Sequence, residues 1–266
     1  MHDYSEDLDL ALRLADAAAE VAMQRFSAVD LEISTKPDKS HVTDADLAVE
    51  RAIRAILQEE RPDDSILGEE YGTEGESTRQ WIIDPIDGTA QFLRGTPLWT
   101  TLIALAVDGK IVAGVCSAPA LGKRWWASLG AGAWTDPEAP RRIAVSSVAT
   151  LDDAAFAYNS IKGWDRVGRL DDLIALQKEV WVARSVGDAW SYMMVAEGQI
   201  DALAEFDLKP YDLAPHDIIV REAGGSFTAV DGSEGPWHGS ALVTNGVLHS
   251  TFLQRLNGDR TQGVNE

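Results

Sequence analysis

The sequence predicts a layered α+β fold with mixed, largely antiparallel sheets. Segments with the 3.6-residue apolar spacing of helices alternate with short apolar segments typical of strands. In "LWTTLIALAVDGKIVAGVCSAP", two β-rich runs are joined by Asp108-Gly109, which is a strong hairpin signal. Because hairpins outnumber parallel crossovers, we expect layers of helix and sheet rather than a doubly wound parallel sheet.

The part of the chain before this hairpin predicts two helices and two short strands. Apolar residues recur at helical spacing over residues 8–26. In "VTDADLAVERAIRAIL", Thr43 is followed three residues later by Asp46, the pattern of a capping box, and apolar residues then mark one helix face. The segments "SIL", before Gly68, and "WIID", at 81–84, predict strands that stop at acidic residues.

The part after the hairpin predicts further alternation of strands and helices. Strands are expected in "KRWWAS", "RIAVS", "AAFAYN", "WVARSV", "IDALAEF" and "ALVTN". Helices are expected near 165–178, 188–197 and 212–223, the last ended by Gly224-Gly225. "LNGDRTQGVNE" has the composition of a C-terminal tail. We expect one domain over 1–266.

The composition limits the classes of partner. With 23 Lys and Arg against 43 Asp and Glu, the net charge is −20, so nucleic acid and acidic membranes would be repelled. The charge suits metal cations or cationic small molecules, although simple solubility of an acidic protein also explains it.

Cys116 is the only cysteine, which excludes an intrachain disulfide. No apolar run approaches the ~18 residues of a membrane span, and the N-terminus is acidic, so we expect a cytoplasmic protein.

Acidic residues stand at the ends of the predicted strands. Glu69 and Glu70 follow "SILG", Asp84 and Asp87 bracket a predicted turn after "WIID", and Asp212 opens a predicted helix. Carboxylates without cysteines or paired histidines are the ligands that Mg²⁺ or Mn²⁺ prefers, and Mg²⁺ keeps room for water and substrate phosphate. The sequence therefore predicts a site for a hard cation.

The predicted turn offers further groups. It could point the Ile86 carbonyl inward together with the two aspartates that bracket it. Gly88 and Thr89 lead into "AQFL", a possible helix start whose free N–H groups can hold a phosphate.

Each acidic segment also has an interpretation without function. Asp84 and Asp87 could bond only their own backbone, because Asp-Pro and Asp-Gly are common turn formers. Glu69-Glu70 could be a solvated loop, and Asp212 a plain helix N-cap. These interpretations are less convincing together, since all three segments end strands or open helices.

Several motifs resemble those of the inositol monophosphatase family of Mg²⁺-dependent, lithium-sensitive phosphatases. They are "GEE" at 68–70, "WIIDPIDGT" at 81–89, "YDLA" at 211–214 and "EAGG" at 222–225, in the family's order and spacing. The resemblance spans roughly residues 8–256. Asp-Pro-Ile-Asp-Gly-Thr is highly specific, whereas Gly-Glu-Glu alone is weak. The resemblance implies an α/β/α/β/α sandwich like that of fructose bisphosphatase, a homodimer, and a small phosphate monoester as substrate.

The resemblance also implies roles for individual residues. Glu69, Asp84 and the Ile86 carbonyl would bind one Mg²⁺, and Asp84, Asp87 and Asp212 a second. Two or three metals per site are expected, with Mn²⁺ as a possible substitute.

The catalytic residues implied by the family are Glu69, Glu70, Asp46 and Thr89. Thr89, matched with Asp46 in "VTDAD", would orient and deprotonate the attacking water. With two metals generating the nucleophile and stabilising the leaving group, no phosphoenzyme is needed.

Substrate choice is expected to depend on "RSVGDAW" at 184–190. Inositol phosphatases typically carry Gly-Thr-Ala where this chain has Gly187-Asp188-Ala189, so an acid replaces a hydroxyl. With "LKPYDLA", "GTPLWTTLIAL" and "SAPALGKRWWAS", this resembles the family's histidinol-phosphate phosphatase branch. The substrate-binding candidates are Asp87, Gly88, Thr89, Arg184, Asp188 and Glu205.

Histidinol phosphate carries an ammonium and a titratable imidazole, for which Asp188 and Glu205 are natural partners. Asp188 could instead, or in addition, cap the following helix. An inositol or sugar phosphatase is the alternative enzyme, and a Mg²⁺-binding regulatory relative without catalysis is the alternative from another class. The presence of both Thr89 and Asp46 argues against the latter.

Overall fold

A computed structural model describes residues 3–35 and 41–258 of the chain. Most of the predicted C-terminal tail, from 259 onward, lies outside the described residues, but its start belongs to a helix in which Leu256 is buried. The α-helices in the described residues are α1 (Ser5–Arg25), α2 (Asp44–Glu60), α3 (Thr89–Leu93), α4 (Ile161–Arg166), α5 (Leu170–Glu179), α6 (Asp188–Ala196), α7 (Pro210–Glu222) and α8 (His249–Asn257). Among them, none is long and apolar enough to cross a bilayer.

The strands within these residues form three sheets. In chain order they are β1 (Ile33–Thr35), β2 (His41–Thr43), β3 (Ser65–Gly68), β4 (Gly72–Glu74), β5 (Arg79–Asp87), β6 (Thr100–Val107), β7 (Lys110–Ala118), β8 (Lys123–Ser128), β9 (Gly132–Thr135), β10 (Arg141–Arg142), β11 (Ala155–Ala157), β12 (Val182–Arg184), β13 (Ala202–Phe206), β14 (Ser226–Thr228) and β15 (Ser240–Thr244). The sheets have the orders β1-β2, β10-β9-β8-β7-β6-β5-β3-β4 and β12-β11-β13-β15-β14. β3 pairs in parallel with β5, and β11 with β12 and β13, whereas the other neighbours are antiparallel. The predicted mixed, largely antiparallel sheets are confirmed.

The helices and sheets stack in five layers. α1 and α2 pack on one face of the large sheet, and α7 packs on the other face. α6 packs beside α7, and the two helices contact the five-stranded sheet through β13, β15 and β14. α4 and α8 also contact that sheet, through β13 and β15. Three apolar clusters fill the spaces between these layers. This is the α/β/α/β/α order that the family resemblance implies.

The central strands are apolar on both faces because helices cover both faces of the large sheet. In β5, Trp81 and Ile83 join the cluster beneath α1 and α2, while Ile82 joins the cluster beneath α7. Such a strand appears in the sequence as a continuous apolar run rather than an alternating one. Its covered position places the acidic end of β5 inside the protein.

The structure corrects the predicted end of this strand. β5 does not stop at Asp84 but continues to Asp87, with a register shift between the two residues where it pairs with β6. The predicted turn is therefore an irregularity within a strand. Pairing with the long neighbouring strand extends β5 beyond its local turn signals.

Three other predictions differ in detail. The single helix expected near 165–178 is two helices, because Gly168 at φ +67° ends the first of them. Of the predicted strand "RIAVS", only Arg142 belongs to a strand, β10. α7 begins at Pro210 rather than at Asp212. The Asp108-Gly109 hairpin between β6 and β7 is confirmed.

Candidate active site

The parallel pair β3–β5 brings the first acidic residues together. Because the two strands run in the same direction, their carboxyl ends meet at one edge of the sheet. The Glu69 N–H donates to the Ile83 carbonyl at 3.1 Å, which fixes Glu69 beside the strand residue that precedes Asp84. Glu69 and Glu70 thus lie in the turn between β3 and β4, next to the acidic end of β5.

Asp84 is a buried carboxylate among other carboxylates. Its side chain is 2% exposed, and its Oδ1 accepts a hydrogen bond from the Ile86 N–H at 3.1 Å. Burial raises the pKa of Asp84 well above its usual range, and the charges of Glu69, Asp87 and Asp212 raise it further. A residue that served only a turn would not need this burial or these neighbours.

Asp87 lies where three elements meet. Its Oδ2 accepts from the Thr100 hydroxyl at 3.2 Å and from the Ala189 N–H at 3.0 Å, so it contacts β6 and the first turn of α6. Burial raises the pKa of Asp87 well above its usual range, with further contributions from the charges of Asp188 and Asp212. The site is therefore assembled between the large sheet and the helix layer.

Asp212 completes this group from the start of α7. The N-cap of α7 is Lys209, so the plain N-cap interpretation of Asp212 is wrong. Instead, Asp212 Oδ2 accepts from the Lys209 N–H at 2.7 Å. Burial raises the pKa of Asp212 to about 7, although the Lys209 hydrogen bond opposes that rise.

The donor set fits a hard divalent cation. Within the described residues, Asp84, Asp87 and Asp212 form no ion pair with Lys or Arg, and only the charge of Lys209, at Asp212, opposes their mutual repulsion. Carboxylates and the Ile86 carbonyl are the oxygen ligands that Mg²⁺ and Mn²⁺ take. In the same part of the chain, no three His, Cys, Asp or Glu side chains already form a converged metal cage.

Asp46 and Thr89 meet beside these acids, although they are 43 residues apart in the chain. The Thr89 hydroxyl lies 3.4 Å from Asp46 Oδ1 and 3.2 Å from the Ile86 carbonyl oxygen. The predicted capping box of α2 is confirmed, with the Thr43 N–H donating to Asp46 Oδ2 at 2.8 Å. One carboxylate oxygen of Asp46 is thus fixed by the helix start, while the other faces Thr89.

A cavity of about 210 Å³ opens beside Asp87 and Asp212. Its lining residues are Asp87, Asn159, Asp188, Ala189, Tyr192, Glu205, Leu208 and Asp212. Glu205 is buried there, and its Oε2 accepts from Asn159 Nδ2 at 2.7 Å and from the Tyr192 hydroxyl at 3.0 Å. Burial raises the pKa of Glu205 to about 8, against the effect of both hydrogen bonds. The charges of Asp188 and Asp212 also raise this pKa, so a cationic group in the cavity would stabilise the ionised carboxylates.

Asp188 lines the same cavity in an unusual backbone conformation. Its φ is +45°, and the N-cap residue of α6 is Gly187, so the N-cap interpretation of Asp188 is wrong. A Cβ added at Gly88 would lie 3.1 Å from Asp188 Oδ2, which shows how closely the two approach. Burial raises the pKa of Asp188.

The structure brings together most of the residues singled out in the sequence, with Glu70 next to Glu69 in the turn after β3. Arg184 is exposed, donates to the Ala183 carbonyl at 2.8 Å, and does not line the cavity. Sequence reasoning missed Asn159 and Tyr192. Asn159 ends a predicted strand, and a polar residue at a strand end is a candidate site residue. Tyr192 lies in an apolar helix segment, where the sequence gives no such indication.

The raised pKa values predict how the stability of the metal-free protein depends on pH. An acid whose pKa is raised by folding favours the folded state while protonated, and that contribution is lost as the pH rises through the folded pKa. For Asp212, at about 7, and Glu205, at about 8, the loss falls between roughly pH 4 and pH 8. We expect the melting temperature in excess chelator to fall between pH 5 and pH 8, and to fall less with Mg²⁺ present. A melting temperature that rises over this range in chelator would contradict the raised pKa values of these two carboxyls.

This fold, with carboxylates gathered at the ends of β3 and β5 and the start of α7, is that of a phosphatase family. The chain belongs to the inositol monophosphatase family, whose sequence model matches residues 3–262.

Within that family, the chain is 51% identical over 263 residues to the histidinol-phosphatase of Streptomyces coelicolor, covering 97% of this chain and 99% of the relative. It is 52% identical over 255 residues to the histidinol-phosphatase of Mycobacterium tuberculosis, covering 95% and 98%. An inositol-1-monophosphatase of Caulobacter vibrioides is 34% identical over 251 residues, covering 90% and 96%.

Solved structures agree with the fold. The extragenic suppressor protein suhB of Bartonella henselae superimposes with a TM-score of 0.88 at 30% identity, covering 96% of this chain and 100% of that one. An inositol monophosphatase from Zymomonas mobilis superimposes with a TM-score of 0.84 at 30% identity, covering 96% and 99%. The predicted fold class and family are confirmed.

Proposed function

We propose that this protein is a phosphoric monoester hydrolase that converts histidinol phosphate into histidinol and phosphate, a step of histidine biosynthesis. The observation that carries the proposal is the cavity beside the carboxylate cluster, which is lined by the buried acid Glu205 and the partly buried acid Asp188. The relatives that are about half identical over nearly the whole chain are named histidinol-phosphatases, whereas the inositol-1-monophosphatase of Caulobacter vibrioides is 34% identical. The proposal includes a homodimer in the cytoplasm and one domain over 1–266.

The proposed metal ligands are Glu69, Asp84, the Ile86 carbonyl, Asp87 and Asp212. Bound Mg²⁺, or Mn²⁺ in its place, would polarise the phosphate and lower the pKa of a water molecule. Two or three such ions per site are part of the proposal. Burial and repulsion by neighbouring carboxylates raise the pKa of Asp84, Asp87 and Asp212, which supports this assignment, because divalent cations would remove that repulsion.

Thr89 and Asp46 are proposed to handle the proton of the attacking water. The Thr89 hydroxyl can donate to Asp46 Oδ1 and accept from a water on its other side. Burial raises the pKa of Asp46, which makes it a better proton acceptor than an exposed aspartate. Glu70 is proposed to complete the catalytic group with Glu69, and Gly88 to contact the phosphate. No side chain needs to become phosphorylated.

The far side of the cavity is proposed to recognise the ammonium or imidazole of the substrate. Asn159 and Tyr192 both donate to the same oxygen of Glu205, Oε2. The Asn159 amide is itself oriented, since its Oδ1 accepts from the Ser191 hydroxyl at 2.7 Å. Glu205 is therefore held in one orientation, and its Oε1, which accepts no hydrogen bond from the residues the structure describes, can face a cationic partner. Arg184, which is exposed, has no comparable support as a substrate contact.

A phosphate-release assay with histidinol phosphate and inositol 1-phosphate side by side tests the function. We expect hydrolysis of histidinol phosphate that requires added Mg²⁺ and stops in excess chelator, because the proposed nucleophile is a water activated by the metals rather than a side chain. Inositol 1-phosphate should be hydrolysed far more slowly, since it has no cation for Glu205. Full turnover in excess chelator would exclude the metal-dependent chemistry. A preference for inositol 1-phosphate would favour the inositol or sugar phosphatase alternative, and no hydrolysis of either would favour the regulatory one.

A further inference from the structure

We propose that Glu50, on helix α2, is a positioning residue that holds the turn carrying Glu69 and Glu70 in register with Asp46. This inference rests on the proposed metal-dependent function, because the turn matters only if its acids serve the metals and the attacking water. Glu50 does not contact the cavity itself. It would act entirely through the backbone of the turn.

The contacts of Glu50 are those of a side chain that fixes a backbone segment. The Glu50 side chain is 0% exposed. Its Oε2 accepts from the Glu70 N–H at 2.7 Å, and its Oε1 accepts from the Tyr71 N–H at 3.2 Å. Both carboxylate oxygens are thus used on consecutive amides of the turn between β3 and β4, directly after Glu69.

Arg54 fixes Glu50 from one helical turn further along α2. Its Nε donates to Glu50 Oε1 at 2.8 Å, and its Nη2 donates to the Gly72 carbonyl at 2.5 Å. Its Nη1 lies 2.9 Å from Glu74 Oε2. Glu50 therefore binds N–H groups within the turn while Arg54 binds the carbonyl at its end, so α2 holds the turn from both sides.

Gly68 permits this close approach. A Cβ at position 68 would lie 1.9 Å from Glu50 Oε1 and 2.4 Å from Glu50 Cδ. Real Cβ atoms do not come this close to other heavy atoms, so a side chain here would displace the carboxylate. The glycine next to Glu69 thus serves contact with Glu50 rather than a special φ, since Gly68 is not among the glycines with positive φ.

Helix α2 connects this contact to the proton-handling pair. Asp46, Glu50 and Arg54 are spaced four residues apart, so they lie on one face of the helix, and all three are buried. Asp46 contacts Thr89, and Glu50, one helical turn further along α2, contacts the loop between β3 and β4. A shift of the turn relative to α2 would change the position of Glu69 and Glu70 relative to Asp46.

The test compares Glu50→Gln with a matched variant elsewhere. The Glu50 carboxylate accepts from the N–H groups of Glu70, Tyr71 and Arg54. Gln has the same size as Glu, but its NH₂ group would face at least one of these donors instead of accepting from it. Glu222→Gln is the control, because Glu222 accepts from the Gly130 and Gly132 N–H groups at 2.8 and 2.7 Å and so fixes a turn in the same way. It lies at the end of α7, about 15 Å along the helix from Asp212.

Two properties are measured for the parent and both variants: the Mg²⁺ concentration for half-maximal activity, and the rise in melting temperature on adding Mg²⁺. For Glu50→Gln we expect the half-maximal concentration to increase about 10- to 100-fold and the Mg²⁺-induced rise to shrink. Glu222→Gln should lower the melting temperature without changing either response. A parental Mg²⁺ response in Glu50→Gln, with only a lower melting temperature, would show that Glu50 has a structural role alone and would overturn the proposal.

A second variant covers the case in which Glu50→Gln does not fold. Gly68→Ala keeps every charge and displaces the Glu50 carboxylate, so it should weaken the Mg²⁺ response in the same direction. A parental response in this variant would overturn the proposal. If the parent protein itself shows no Mg²⁺ response in activity or melting temperature, it is the proposed metal-dependent function that fails.

Discussion

Replacing Asp84 by asparagine is expected to lower kcat by about 10³-fold or more while the protein remains folded. Asp84 lies among Glu69, Asp87 and Asp212 and is the residue proposed to bridge two metals. Loss of its charge would weaken the binding of both ions. A 10³-fold decrease in kcat corresponds to an activation barrier that is about 4 kcal/mol higher. Asparagine keeps the shape of the side chain and an oxygen that can accept from the Ile86 N–H.

The stability of this variant provides an independent measurement. Burial and neighbouring charges raise the pKa of Asp84, so its ionised form destabilises the metal-free fold. At pH 8 in excess chelator, Asp84→Asn should therefore melt at the same temperature as the parent or higher. The addition of Mg²⁺ should raise the melting temperature of the parent much more than that of the variant.

Asp201→Asn is the matched control for Asp84→Asn. Asp201 is 5% exposed and accepts from the Ala155 N–H at 2.6 Å, but it does not line the cavity. We expect this control to lose stability while keeping most of its turnover and its response to Mg²⁺. Parental turnover in Asp84→Asn would refute the assignment of Asp84 as a metal ligand.

Replacing Glu205 by glutamine is expected to lower kcat/KM for histidinol phosphate by about 10- to 150-fold. A hydrogen bond to a charged group contributes roughly 1.5–3 kcal/mol, which corresponds to that range. Most of the loss should appear in KM, because a contact far from the phosphorus is made equally in the ground and transition states. Steady-state kinetics at saturating Mg²⁺ measure both parameters.

A neutral aryl phosphate distinguishes recognition from structural damage. It has no ammonium or imidazole, so the Glu205→Gln variant should hydrolyse it nearly as well as the parent. Glu197→Gln is a suitable control variant, since Glu197 is an acid outside the cavity that accepts from Trp125 Nε1 at 2.7 Å. Equal losses on both substrates would mean that Glu205 supports the site as a whole. No loss on either substrate would mean that Glu205 does not bind the substrate, and would favour the inositol-type phosphatase alternative.

Much of the fold could be predicted from local patterns. The capping box of Thr43 and Asp46, the Asp108-Gly109 hairpin and the helix at α6 depend on residues a few positions apart, and the structure has all three. Predictions failed where a distant partner decided the outcome. Pairing with β6 carries β5 past Asp84 to Asp87, although Pro85 and Gly88 locally favour a turn.

The sequence by itself determined the family, the layered fold class and the acidic segments that end β3 and β5 and open α7. These features depend on composition, spacing and short motifs, which are properties of the amino-acid sequence and do not require the folded structure. Their assignment as metal ligands stays a prediction.

Only the tertiary structure decided which groups orient these acids. Asn159 lies 46 residues from Glu205, and Glu50 lies 20 residues from Glu70, yet each pair is joined by a hydrogen bond of 2.7 Å. Such contacts follow from the stacking of helices on sheets. An asparagine or glutamate that fixes a distant carboxylate or turn has the same local pattern as one exposed to solvent, because its partner is chosen by packing and not by neighbours in the chain.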